Sequence, residues 1–209
     1  LNLVKNKKEA VRETRIRERL GVVYVMSDRD WSSALNELTN HHISLVAQLA
    51  LAYTHRMLHQ LKDEKRVLKN AGRDYPNHHK IYFYNALVRY ETSYWKYALE
   101  YVEKALESAG DTEEKPVMKT APLHFMKGAV LLRQKKFYAA EGAFRAAISR
   151  DPIDGESRLM LAGLLFQRNT VDAANSELEM VSFLFKTSFN ETGVGRLFYD
   201  NSRLQKAGI

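Results

Sequence analysis

The sequence predicts an all-α fold, a solenoid of antiparallel helix pairs. Three observations carry that prediction. The 209 residues include only ten Gly and four Pro, with 45% apolar and 27% charged residues, a globular composition with few helix breakers. Long stretches place apolar residues at helical spacing. Finally, one column recurs: Glu64, Ala98, Ala140 and Ala174 are separated by 34, 42 and 34 residues, and a fixed period of that length marks a repeat architecture.

The unit that opens at Ala121 sets the register. With Ala121 as position 1, small residues fall at positions 8 (Gly128), 20 (Ala140) and 27 (Ala147), and large apolar ones at 11 (Leu131), 17 (Phe137) and 24 (Phe144). Positions 1–14 form helix A and 15–28 helix B. Two helices approach closely only where side chains are small, and large residues fill the space between. Asp151-Pro152 ends helix B, because proline cannot continue a helix and disfavours it in the residue before.

The other elements follow in order. Residues 1–44 hold a basic helix and a clipped unit. In that unit 17–26 stand for helix A and 28–40 for helix B, with Trp31, Ala34 and Leu38 in columns 17, 20 and 24. Residues 45–78 form the first full unit, closed by Pro76. Its Glu64 replaces the small residue of column 20, so a looser crossing is expected there, and His55 replaces the apolar residue of column 11. Residues 79–112 form the second unit, with Arg89 in column 11. Residues 108–120 are polar, with Gly110 and Pro116. They read as a surface loop, its inserted part 113–120, that lengthens one turn without breaking the stack. Residues 121–154 and 155–188 are the third and fourth units. Residues 189–209, with Gly193 and Gly195, read as a cap or loose tail.

This period and small/large code resemble the tetratricopeptide repeat (TPR) over about residues 45–188. The resemblance implies a right-handed superhelix whose concave face binds protein. It assigns helix A positions 2, 5, 9, 12 and 13 to that face. In the first unit these are Val46, Leu49, Tyr53, Arg56 and Met57. In the second they are Lys80, Phe83, Leu87, Tyr90 and Glu91. The third unit gives Pro122, Phe125, Ala129, Leu132 and Arg133, and the fourth Glu156, Leu159, Gly163, Phe166 and Gln167. A subclass of the family clamps a C-terminal carboxylate with Lys at position 5 and Asn at position 9. Here position 5 holds Leu49, Phe83, Phe125 and Leu159, and position 9 has no Asn, so no such clamp is implied. An apolar, aromatic groove suits an amphipathic helix or an extended apolar segment. Its other reading is a self-capped groove, filled by the chain's own first helix or tail, in a soluble adaptor or chaperone-like protein.

Chemistry finds little purchase. No Cys is present, which removes disulfides, thiolate metal sites and thiol nucleophiles. His55 and His59 are four apart, a spacing that puts two ligands on one helix face. Arg56, Met57 and Leu58 between them make no HExxH, and Arg56 repels a cation, so no metal and no cofactor is expected. There is no nucleophile elbow and no phosphate loop. An enzyme is not expected.

The charge is uneven. Of a net +7, more than half lies in residues 1–20, where Lys5, Lys7, Lys8, Arg12, Arg15, Arg17 and Arg19 face Glu9, Glu13 and Glu18. Basic charge with eleven Tyr raises RNA or DNA binding as an alternative, but the cations do not recur once per repeat, as a nucleic-acid reader needs. The same cluster reads as the cytoplasmic flank of a membrane anchor upstream of Leu1. The expected location is the cytoplasm, or the cytoplasmic face of a membrane. The expected role is a scaffold that assembles or localises a complex, in one version a bacterial envelope or secretion system.

Overall fold

Small side chains sit where helices cross, and this sets the whole architecture. The computed structural model describes residues 2–27, 30–40, 44–112 and 118–186. Those residues form ten α-helices and no strand: α1 (Asn2–Met26), α2 (Trp31–Thr39), α3 (Leu45–Met57), α4 (Leu61–Asp74), α5 (His79–Glu91), α6 (Trp95–Ala109), α7 (Ala121–Arg133), α8 (Phe137–Arg150), α9 (Gly155–Gln167) and α10 (Val171–Lys186). A short 3-10 turn, Met118–Thr120, precedes α7. The chain divides into two compact units, Leu1–Ala109 and Gly110–Ile209, and each is built of adjacent helix pairs. No helix among the described residues is long and apolar enough to cross a membrane.

The four helix A elements, α3, α5, α7 and α9, span positions 1–13 of the repeat, and each helix B starts at position 17. Columns 8 and 27 are buried in every unit: Ala52, Ala86, Gly128 and Ala162, then Ala71, Ala105, Ala147 and Val181. Column 20 is buried too, including Glu64. Column 17 departs from expectation. Phe137 and Val171 are 37% and 45% exposed, while Leu61 and Trp95, which open their helices at the same position, are half-buried.

The crossing in the repeat 121–154 shows the constraint most sharply. A Cβ on Gly128 would lie 2.6 Å from Cε1 of Phe144, whose side chain is fully buried. Position 8 must therefore be glycine so that position 24 can be phenylalanine. The clipped N-terminal unit repeats this device. A Cβ on Gly21 would lie 2.6 Å from Cγ of Leu38, so the close approach falls at Gly21, one residue earlier than the column count suggests.

The turns between helices A and B were not visible in the columns. His59, Ser93, Lys135 and Asn169, all at position 15, take the left-handed conformation, with φ of 56°, 62°, 59° and 61°. In each, the position-15 N–H donates to the position-12 carbonyl, and the position-16 N–H to the position-11 carbonyl. In the Lys135 turn both bonds are 2.9 Å, to Leu132 and Leu131. This is the Schellman termination, which satisfies carbonyls left open at a helix end. Glycine usually fills that place, and here none of the four is glycine.

Helix starts are capped by short polar side chains. Asp30 accepts from the Ser33 N–H at 2.8 Å, Ser44 from Ala47 at 3.2 Å and Asp154 from Ser157 at 3.0 Å, the geometry that favours Asp and Ser at such positions. Ser44 is held twice, since its own N–H donates to Glu18 on α1 at 2.6 Å. A carboxylate from another helix thus completes the cap of α3. Glu18 is buried and Arg17 pairs with Glu37 at 3.3 Å, so one side of the basic N-terminal helix is packed against the unit.

The two ends of the 108–120 stretch are built into the structure. Gly110, with φ 68°, turns the chain. Asp111 then buries its carboxylate, its side chain 1% exposed, against Arg150 at 2.8 Å and His124 at 2.5 Å. Thr120 is buried at the other end. Residues 113–117 between them, and the expected tail at 189–209, lie outside the described residues.

Two substitutions of the same kind should act in opposite directions. Gly128→Ala forces a Cβ onto the Phe144 ring and should cost about 1–3 kcal/mol. Gly142→Ala, on a helix surface with nothing within 4 Å of the added Cβ, should add about 0.5–1 kcal/mol. Urea unfolding of both variants checks the pair, and equal signs would contradict the crossing argument. At the turns, Lys135→Gly should gain up to about 1 kcal/mol by relieving the left-handed backbone. A loss would show that the Lys135 side chain itself stabilises the turn.

Candidate functional site

The candidate face is the row of helix A side chains at positions 5, 9 and 12. Burial in an A/B pair uses positions 8 and 11 of helix A, so 5, 9 and 12 turn to another side of the same helix. In the unit Leu1–Ala109 these positions lie on α3 and α5. In the unit Gly110–Ile209 they lie on α7 and α9. The two rows differ in chemistry.

On α3 and α5 the row is partly spoken for. Leu49 is buried in the core of its unit, against which Val22 and Val25 of α1 also pack. Tyr53 is half-buried and meets Trp31 edge-on at 5.8 Å. Arg56 is engaged on both sides, to Glu64 at 3.3 Å and to Glu91 at 2.5 Å. Met57 is exposed, and Phe83, Leu87 and Tyr90 are half-buried. Phe83 packs edge-on against Tyr84 at 6.0 Å.

Arg56 explains the anomaly in column 20. Glu64 is 1% exposed, and a lone carboxylate there would be strongly destabilising. The guanidinium of Arg56 reaches it from position 12 of the preceding helix. Burial still pushes the Glu64 carboxyl above the usual carboxylate range, opposed by Arg56 and assisted by Glu91. Where a loosened crossing was expected, the structure holds a buried, paired acid. The sequence signal was weak: a column 20 carboxylate, with an arginine eight residues before it.

On α7 and α9 the row is apolar. Phe125, Ala129 and Leu132 on α7, and Leu159 and Phe166 on α9, are all half-buried, while Gly163 and the flanking Arg133 are exposed. Phe125 is set by its tilted contact with Phe144, 5.8 Å between centroids. The buried ring beneath Gly128 thus also holds the aromatic that the face presents. A Cβ on Gly163 would meet nothing within 4 Å, so the backbone of α9 is open to close approach there.

The histidine pair does not survive folding as expected. His55 is buried, its Nδ1 2.7 Å from Oε1 of Gln60. His59 lies beyond the end of α3, in the left-handed turn, so the two do not share a helix face. His41 and His42 lie outside the described residues. Among the described residues no three of His, Cys, Asp and Glu gather as metal ligands. The Asp111–His124–Arg150 cluster is the other charged group the columns did not show. Arg150 donates from Nε to both Asp111 oxygens, at 3.0 and 2.8 Å, and from Nη1 to the Ala146 carbonyl at 3.1 Å. Burial lowers His124 below its ordinary value, against the pull of Asp111. Neutral His124 then donates from Nε2 to the carboxylate.

No family model and no curated protein matches the sequence. Solved structures do. The PilF structure of Pseudomonas aeruginosa aligns with a TM-score of 0.70 at 16% identity, over 88% of this chain and 80% of that one. Cut9, in the Cut9–Hcn1 hetero-tetramer of the APC/C, gives 0.69 at 13%, over 86% of this chain and 34% of that one. MamA from Desulfovibrio magneticus RS-1 gives 0.63 at 14%, over 86% and 97%. These are tetratricopeptide-repeat proteins. At such identities the likeness concerns the fold, and the fold of this chain is that of the tetratricopeptide-repeat solenoid.

Removing one half of the Arg56–Glu64 pair isolates its role. Arg56→Met should cost about 3 kcal/mol in urea unfolding at neutral pH, because it strands a buried acid, and Arg56→Met with Glu64→Ala should recover most of that. Because the folded-state carboxyl is raised, the stability Glu64 contributes is full below its unfolded pKa and is lost as pH rises through the folded value. Glu64→Gln should therefore gain on the wild type as pH goes from about 4 to about 7. A difference that stays flat would contradict a buried, titrating acid.

Proposed function

We propose that this tetratricopeptide-repeat fold serves as a non-catalytic scaffold that holds a partner protein on the α7–α9 face. One observation carries the reading: positions 5, 9 and 12 of both helices are Phe125, Ala129, Leu132, Leu159, Gly163 and Phe166, with no charged residue among them. All are at least partly accessible. A row of apolar side chains at helical spacing, part-exposed, suits an amphipathic helix or an extended apolar segment laid along it. Arg133 at the edge of α7 can meet an acidic residue of the same partner. In the other unit, the corresponding row on α3 and α5 offers Met57, Phe83, Leu87 and Tyr90 as a surface of its own, while Arg56 stays with its two carboxylates. Leu49 serves the core.

The proposal extends to context. The scaffold would assemble or localise a multiprotein complex in the cytoplasm, in the finer version at the cytoplasmic face of a membrane and within a bacterial envelope or secretion system. The cations of residues 1–20 support the membrane-proximal version, and the likeness to PilF and MamA structures supports the role of a scaffold.

The test is a pair of charged substitutions, Phe125→Asp and Leu159→Asp, in the tagged full chain, with co-purified proteins quantified. Each variant should lower recovery of the partner more than tenfold, the order of a lost interface anchor, with the helical circular dichroism unchanged. Partner binding that survives both substitutions would exclude the face. A labelled RNA or DNA that binds at low salt and is released steeply with added salt would replace this reading with a nucleic-acid one.

A further inference from the structure

We propose that the outer face of α1 docks an acidic amphipathic helix from a second protein, at a surface separate from the α7–α9 face. A helix face left to solvent is normally polar. On α1 the packed side carries Glu18, Gly21, Val22 and Val25, and Val22 and Val25 lie against the core of the unit. Ile16, Leu20 and Val23 project on the opposite side, and are 57%, 40% and 58% exposed. Their spacing of four and three residues draws one straight seam along a helix, the pattern by which two helices pack side by side.

The charges beside the seam choose the partner. Arg12, Arg15 and Arg19 are exposed on one flank, and among the described residues none of them is paired with a carboxylate. Arg17, on the other flank, is already paired with Glu13 and Glu37. A partner with acidic residues beside its apolar seam would meet three exposed guanidiniums. A second copy of α1 is disfavoured, since it would bring arginine onto arginine. The acids of α1 whose side chains are described, Glu13 and Glu18, are held by Arg17 and by the Ser44 N–H. A lipid surface is disfavoured as well. Helices that lie in a bilayer interface present a broad apolar face with bulky anchors, and this seam is one residue wide with no aromatic in it.

Fluorescence anisotropy of the full chain tests the proposal. The probe is a labelled three-heptad helix with Leu at every a and d position and Glu at every e and g. A matched helix with Lys at e and g is the control. The Glu helix should bind at least about tenfold tighter than the Lys helix. Ile16→Ser with Val23→Ser should weaken it by about the same factor, and Arg12→Glu with Arg19→Glu should reverse the preference toward the Lys helix. These side chains are exposed, so the melting temperature should not move. Phe125→Asp should leave the binding intact, which separates this surface from the α7–α9 face. No binding of the Glu helix, equal binding of both helices, or no effect of the Ile16 and Val23 changes would overturn the proposal. So would loss of Ile16-dependent binding only to phosphatidylserine vesicles, or an Ile16-dependent dimer in sedimentation.

Discussion

The close crossing of helix A over helix B is the constraint on which the rest depends. Phe144 occupies a site that exists because Gly128 has no Cβ, and Leu38 stands in the same relation to Gly21. Close packing leaves no slack at such a point, since interiors sit near the density of organic crystals. Where the crossing residue is Ala, as at Ala52, Ala86 and Ala162, the partner in column 24 is Leu68, Val102 or Leu178 in place of the phenylalanine. In these four repeats phenylalanine occupies column 24 only where column 8 is glycine. Everything further out, including the turns at position 15 and the caps before α3, α5 and α9, positions the helices for that contact.

Because packing uses one side of helix A, another side is left to chemistry. The two units use it differently. On α3 and α5 it carries Arg56 bridging a buried and an exposed acid, which stabilises its own unit and leaves little charge for a ligand. On α7 and α9 it is apolar, held in place from beneath by the Phe125–Phe144 contact. That contact ties the proposed face to the core, because the residue that fills the core also holds the Phe125 ring in place. The charged cluster of the second unit acts elsewhere. Arg150 ties Asp111, just after α6, to the end of α8.

Much of this was legible in the sequence, and what was not has physical reasons. Columns 8, 20 and 27 named the buried crossing residues, since size at a crossing is fixed by packing alone. The exposure of Phe137 and Val171 was missed because a residue's size does not reveal whether neighbouring side chains cover it. The left-handed residues at position 15 were hidden because the usual glycine is absent. The hydrogen bonds of the turn impose the conformation on His, Ser, Lys and Asn alike. Glu64 looked like a flaw until Arg56 was seen beside it, and Asp111 looked like a solvated loop residue. Pairing across separate elements leaves no periodic trace. The candidate face was reached through the family resemblance, and its division into a charged and an apolar row depends on which side chains are already engaged.

The central claim is that positions 5, 9 and 12 of α7 and α9 form the surface that meets a partner. Methyl NMR on the labelled full chain, titrated with the co-purified partner, tests it most directly. Shifts should concentrate on Ala129, Leu132 and Leu159, while the methyls of Ala140, Ala143 and Ala147 in the helix crossings of α8 stay in place. Shifts confined to α8 and α10, with Ala129, Leu132 and Leu159 unmoved, would contradict the account.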